Sequence, residues 1–117
     1  MIRDKNIDII DPIENLILIG PLALDPRTYR VQTVFQTETA FAENEFKTLF
    51  MLAKLKNQPV TFEWIYRQIW TRYDGVDRRE EARKGIENVM RCINSVEESV
   101  MRIEYQPETG YTFWMYE

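Results

Sequence analysis

Apolar residues change their spacing twice along this chain, and that double change limits the folds open to it. Up to residue 41 they come in short runs cut by turn signals. Leu16-Ile17-Leu18-Ile19 ends at Gly20-Pro21, and Leu22-Ala23-Leu24 stops at Asp25-Pro26, where Pro sets φ and Asp can bond back to the backbone. Tyr29 to Phe35 and Gln36 to Phe41 are rich in Val, Thr and aromatic residues, as strands prefer. The spacing then becomes helical. Phe46, Leu49, Phe50 and Ala53 share one stripe, and Asn57-Gln58-Pro59 ends that helix because Pro biases the preceding residue away from helical geometry. Thr61 is suited to cap a second short helix carrying Trp64, Ile65, Gln68 and Ile69, and Thr71 to Asp77 reads as a loop. A third helix places Ala82, Ile86, Val89 and Ile93 on one stripe. The spacing changes again at Val100. Met101, Ile103 and Tyr105 alternate with Arg102 and Glu104, Gln106 to Gly110 makes a turn, and Tyr111 to Tyr116 returns as the second arm of a hairpin. The order is strands, three helices, hairpin: an α+β chain.

Composition removes most chemistry. With 117 residues, 44% of them hydrophobic, the chain can build one core without staples. We read residues 1–15 as a leader and 16–117 as the folded domain, with no internal repeat or linker. Histidine is absent, which takes away the commonest general base and metal ligand. Cys92 is the single cysteine, so an intrachain disulfide and a Cys-based zinc site are both excluded; we expect a packed or half-packed thiol. Asp74 and Asp77 flank Gly75 without the ligand count of a calcium loop. No constellation supplies nucleophile, base and orienting group, so we expect no enzyme, no metal and no cofactor. The longest apolar stretch, Leu16 to Ile19, is far short of a membrane span, and Asp4, Asp8, Asp11 and Glu14 interrupt what a signal peptide would need. The expectation is a cytoplasmic protein.

Four segments, in order, carry a family resemblance: Ile19-Gly20-Pro21-Leu22-Ala23-Leu24-Asp25-Pro26, Phe41-Ala42-Glu43-Asn44-Glu45-Phe46-Lys47-Thr48-Leu49, Pro59-Val60-Thr61-Phe62-Glu63-Trp64-Ile65 through Ile69-Trp70, and Gly110-Tyr111-Thr112-Phe113. Together they resemble the winged-helix effector (DNA-binding) domain of the OmpR/PhoB class of response regulators, over residues 16–116. The resemblance implies a winged helix-turn-helix: a small N-terminal antiparallel sheet, a three-helix core and a C-terminal β-hairpin wing. It also implies a transcriptional regulator of two-component type, here without its own receiver domain. The third helix would enter the major groove of double-stranded DNA, with the wing on the adjacent groove or backbone. By the same resemblance the loop 71–78 would contact RNA polymerase, the other reading being a connector with no partner, and a homodimer is compatible with the fold.

On this alignment the candidate DNA contacts are Arg79, Arg83, Lys84, Asn88 and Arg91 from the third helix, with Arg102 and Thr109 from the wing. The other reading of the helix cations is a solvated face in which Glu80–Lys84 and Glu87–Arg91 pair at i, i+4. Three features depart from the family pattern. Ala42 stands where a capping Thr is usual, at a cost of about 1 kcal/mol. Gly85 lies inside the third helix, where it weakens the helix by about 1 kcal/mol unless a close approach requires it. After residue 95 a single cation, Arg102, faces Glu97, Glu98, Glu104, Glu108 and Glu117, so phosphates would be repelled by the wing and one copy would bind weakly. The alternative function is therefore an acidic winged-helix protein-interaction module that has lost DNA binding. Its basic partner would be released by charge reversal at Glu97 and Glu98.

Overall fold

The computed structural model describes residues 16–33, 38–96 and 100–116; the leader 1–15 and the pair Glu97 and Glu98 lie outside the described residues. Four strands, β1 (Ile17–Ile19), β2 (Leu22–Asp25), β3 (Arg30–Thr33) and β4 (Glu38–Ala40), form an antiparallel sheet in sequential order. Leu22, Leu24, Val31 and Thr33 point inward, while Leu18, Gln32 and Glu38 face out, the period-2 pattern of a sheet covered on one side. The first strand after Asp25-Pro26 begins one residue later than the sequence predicts. Tyr29 takes a left-handed φ of 59° to close the turn, and its amide N–H donates to Asp25 O at 2.9 Å.

Helix α1 (Glu43–Lys54) buries Phe46, Leu49 and Ala53 as expected, along with Leu52 and Thr48. Ala42 at its N-cap has no side-chain oxygen to offer. One half of a capping box survives, because the Ala42 N–H donates to Glu45 Oε1 at 3.1 Å. Asn57 ends the helix region in a left-handed conformation, φ 65°, and its Oδ1 accepts from the Met115 N–H at 3.0 Å. A two-residue strand, β5 (Pro59–Val60), leads into α2 (Phe62–Ile65). There Thr61 caps as predicted, its hydroxyl accepting from the Trp64 N–H at 3.2 Å. The helix widens into a π-helical turn over Tyr66–Trp70, closed by Thr71 N–H donating to Tyr66 O.

The inward face of this second helix differs from the expected one. Ile65, Tyr66 and Trp70 are buried, whereas Trp64 is 38% exposed and Gln68 is exposed. The cause lies on other elements. The Trp70 indole N–H donates to Thr48 Oγ1 at 3.1 Å, and the ring lies in the notch at Gly85, where a Cβ would fall 2.8 Å from Cζ2 and nearer still to Cη2. Anchoring Trp70 inward turns Trp64 outward.

Helix α3 (Arg79–Asn94) buries Ala82, Gly85, Ile86, Val89 and Ile93. The wing is β6 (Met101–Gln106) and β7 (Gly110–Met115), and β5 pairs with β7 on the other side to give the order β5-β7-β6. Met101, Ile103, Phe113 and Met115 enter the core shared with α1 and α3, each fully buried apolar side chain contributing about 1.5–3 kcal/mol. Gly110 has φ 104°, and Val60 O and the Thr61 Cα crowd the place of its missing Cβ, so the hairpin can cross β5 only at a glycine. No helix among the described residues is long and apolar enough to cross a membrane.

Candidate nucleic-acid interface

Helix α3 lies with its buried stripe on the core and its opposite stripe open. Glu80, Lys84, Glu87 and Arg91 follow one another on that open face, all exposed, with acid and base alternating. The i, i+4 pairs Glu80–Lys84 and Glu87–Arg91 that the sequence suggested are not among the ion pairs of the described residues. Arg91 donates to Asn88 instead, and Lys84 makes no ion pair among the described residues.

On one flank, α2 and the π-helical turn after it present Phe62 and Tyr66 one turn apart, their rings stacked at 5.9 Å. Arg79 and Arg83, also one turn apart, lay their guanidinium groups on these rings, Arg79 at 4.6 Å from Tyr66 and Arg83 at 4.4 Å from Phe62. Arg79 is further held by Glu63, which accepts from Nε at 3.0 Å and from Nη2 at 3.1 Å, and by Asp77 at 3.3 Å. The hydrogen bond to Glu63 raises the Arg79 pKa above its usual value, and the same bond holds the Glu63 carboxyl below its own. Glu63 and Asp77 therefore neutralise Arg79 locally.

On the other flank Asn88 is half-buried between helices. Its Nδ2 donates to Glu45 Oε2 at 3.3 Å and its Oδ1 accepts from Arg91 Nη2 at 2.7 Å. Glu45 thus links the start of α1 to the middle of α3. The amide that could match adenine is already occupied on both sides. Lys84 has no ion pair among the described residues and borders a cavity of about 410 Å³ with Arg72, Glu81 and the first turn of α1.

The wing places Arg102 and Thr109 apart. Thr109 is at the exposed tip beside Glu108, whereas Arg102 sits near the base, half-buried, its Nε 3.3 Å from Glu104 Oε2. Glu104 also accepts from the Trp114 indole N–H at 3.0 Å. Asn94, which the sequence reading passed over, joins α3 to the wing by donating to Ile103 O at 2.9 Å and accepting from the Ile103 N–H at 2.8 Å. Between α3 and the wing runs a groove of about 320 Å³ lined by Phe62, Arg83, Glu87, Met90, Tyr105 and Tyr111. Burial pushes the Tyr111 hydroxyl pKa up, with Tyr105 adding to the effect.

The loop before α3 is ordered by its own side chains. Asp74 accepts twice from Arg78, at 2.9 and 2.6 Å, and once from the Val76 N–H. Tyr66 Oη accepts from the Arg78 N–H at 2.9 Å. Tyr73 stands fully exposed and Val76 is 54% exposed. No group of three or more Cys, Asp and Glu residues among the described ones could hold a metal ion.

This arrangement matches known structures closely in shape and weakly in sequence. The DNA-binding domain of E. coli CadC superposes with a TM-score of 0.66 at 11% identity, over 87% of this chain and 97% of that one. The Klebsiella pneumoniae RstA DNA-binding domain, solved in complex with the RstA box, gives 0.61 at 23% identity over 85% and 96%. The Thermotoga maritima response regulator DrrB, an OmpR/PhoB homologue, gives 0.63 at 22% identity over 86% of this chain and 44% of that one. The chain has the fold of the OmpR/PhoB-type effector domains. No protein-family model matches the sequence, and no curated protein matches it. In the terms of that winged-helix fold, α3 is the exposed third helix and β6–β7 is the wing.

Proposed function

We propose that this winged helix binds double-stranded DNA and acts as a transcriptional regulator, with α3 in the major groove and the wing on the adjacent groove or backbone. The observation that carries the reading is the open outer face of α3, flanked by the wing, in a fold shared with the CadC and RstA DNA-binding domains. Lys84 and Arg91, the latter exposed although its Nη2 donates to Asn88, are the cations of that face, and we assign them the phosphate contacts. To Thr109, exposed at the wing tip, we assign a contact with the DNA backbone. Arg79, Arg83, Asn88 and Arg102 are engaged within the protein, and we assign them to holding α3 and the wing in register unless DNA displaces their present partners. The loop 71–78, with Tyr73 and Val76 exposed, is the surface we assign to RNA polymerase. A second copy on a neighbouring half-site would supply affinity that one neutral helix face lacks.

The test is a fluorescence-anisotropy titration with mixed duplex DNA at several salt concentrations. Binding should weaken with salt, and Lys84→Ala and Arg91→Ala should each flatten the logarithmic slope by about 1, whereas Arg79→Ala should leave the slope unchanged. No binding at low salt would overturn the reading. That outcome favours the acidic interaction module, for which the specific observation is a wing tip that presents Glu108 and no free cation beside it.

A further inference from the structure

We propose that Glu87 is a specificity-determining residue of α3, accepting a hydrogen bond from the exocyclic amino group of a cytosine in the major groove. The inference rests on the DNA-binding reading above. Glu87 is mid-helix, exposed, and on the central outward stripe. The cations that should neutralise it sit one turn away on either side, and both are held elsewhere. Arg83 lies on the Phe62 ring, and Arg91 donates to Asn88, which Glu45 holds from the far side. Lys84, three residues before it, makes no ion pair with it among the described residues. Glu80 shares the stripe but lies in the first turn, where the positive end of the helix accounts for a carboxylate. Glu87 lies beyond that first turn, exposed in mid-helix.

A bare carboxylate facing a groove lined by phosphates is repelled unless a donor on a base edge meets it. Guanine offers only acceptors there, and thymine offers an acceptor and a methyl group. Adenine carries a donor beside the N7 acceptor, which repels a carboxylate. Cytosine offers its amino group alone. A carboxylate therefore selects cytosine, and the repulsion it suffers elsewhere sharpens the choice. The carboxylate also borders the groove toward Tyr105 and Tyr111, so a base contacted by Glu87 lies beside the wing and its register is fixed by both elements.

The experiment is selection from a pool of random duplexes by the full chain, comparing wild type with Glu87→Gln and Glu87→Ala. Circular dichroism serves as the folding control, and Gln keeps the helix propensity. Wild type should enrich cytosine at one position by about tenfold over the other bases. Glu87→Gln should move that preference to adenine, because an amide matches the adenine donor and acceptor together. Glu87→Ala should lose the preference while binding arbitrary duplex more tightly. A wild-type site with no cytosine preference, or one that Glu87→Gln leaves intact, overturns the assignment of Glu87 and leaves DNA binding standing. Failure of wild type to bind any duplex overturns both.

Discussion

Replacing Gly85 by Ala sets two effects of opposite sign against each other. In an exposed helix interior the change would stabilise the protein by about 1 kcal/mol, because Ala has less backbone freedom to lose. Here the new methyl group falls inside van der Waals contact of Trp70 Cη2 and 2.8 Å from Cζ2. Trp70 is only 4% exposed, and its indole N–H is tied to Thr48 Oγ1, whose own hydroxyl donates to Asn44 O at 2.8 Å. The ring therefore has little room to retreat. Overpacking of this kind costs about 1–3 kcal/mol, and stretching the buried indole bond adds about 1–3 kcal/mol more. The net expectation for Gly85→Ala is a loss of about 3 kcal/mol, which for a domain of this size lowers Tm by roughly 12 °C. Urea denaturation followed by circular dichroism should show a lower midpoint with the m value unchanged. In a Trp70→Leu background the same substitution should cost far less, because the clashing atoms are gone. A Gly85→Ala protein more stable than wild type would refute the reasoning, since propensity would then outweigh the packing of Trp70.

Ala42→Thr should raise stability by about 1 kcal/mol in the same assay, since the backbone there already has the extended N-cap geometry and Glu45 already supplies the other half of the box. Asn94→Ala leaves the Ile103 N–H and C=O without their side-chain partners, and should cost about 2 kcal/mol; hydrogen exchange should show loss of protection at the Ile103 amide. Hydrogen bonds from arginine hold Glu63 and Asp74 below the ordinary values of 4.5 and 3.8, and the Arg79 amide does the same for Asp77. Below those values the unfolded chain binds more protons than the folded one, so the stabilisation is present at neutral pH and lost as pH falls through the lowered values. The urea midpoint should therefore hold from pH 7 to about 5 and drop below about 4, and Asp74→Asn should make that drop shallower.

The features legible in the sequence are those that depend on near neighbours. The stripe Ala82, Ile86, Val89 and Ile93 needs only helical spacing, and the Thr61 cap needs only a hydroxyl three residues before an amide. Asn57-Gln58-Pro59 ends the first helix, and the hairpin turns where Pro107 and Gly110 permit. These are local steric and hydrogen-bonding rules, so the order of sheet, three helices and wing follows from the chain alone. The inward turn of Trp70 and the outward turn of Trp64 depend on Thr48 and Gly85, which belong to two other helices. The spacing of Phe62 and Tyr66 and that of Arg79 and Arg83 are both visible in the sequence. Their stacking, with Glu63 reaching Arg79 across 16 residues, exists only once α2 and α3 are packed. Among the arginines of α3, sequence could count the charges; tertiary packing decided which lie on aromatic rings or carboxylates and which remain on the open face. Net charge is a sum over residues, but the charge that a partner meets depends on what folding has already placed beside each one.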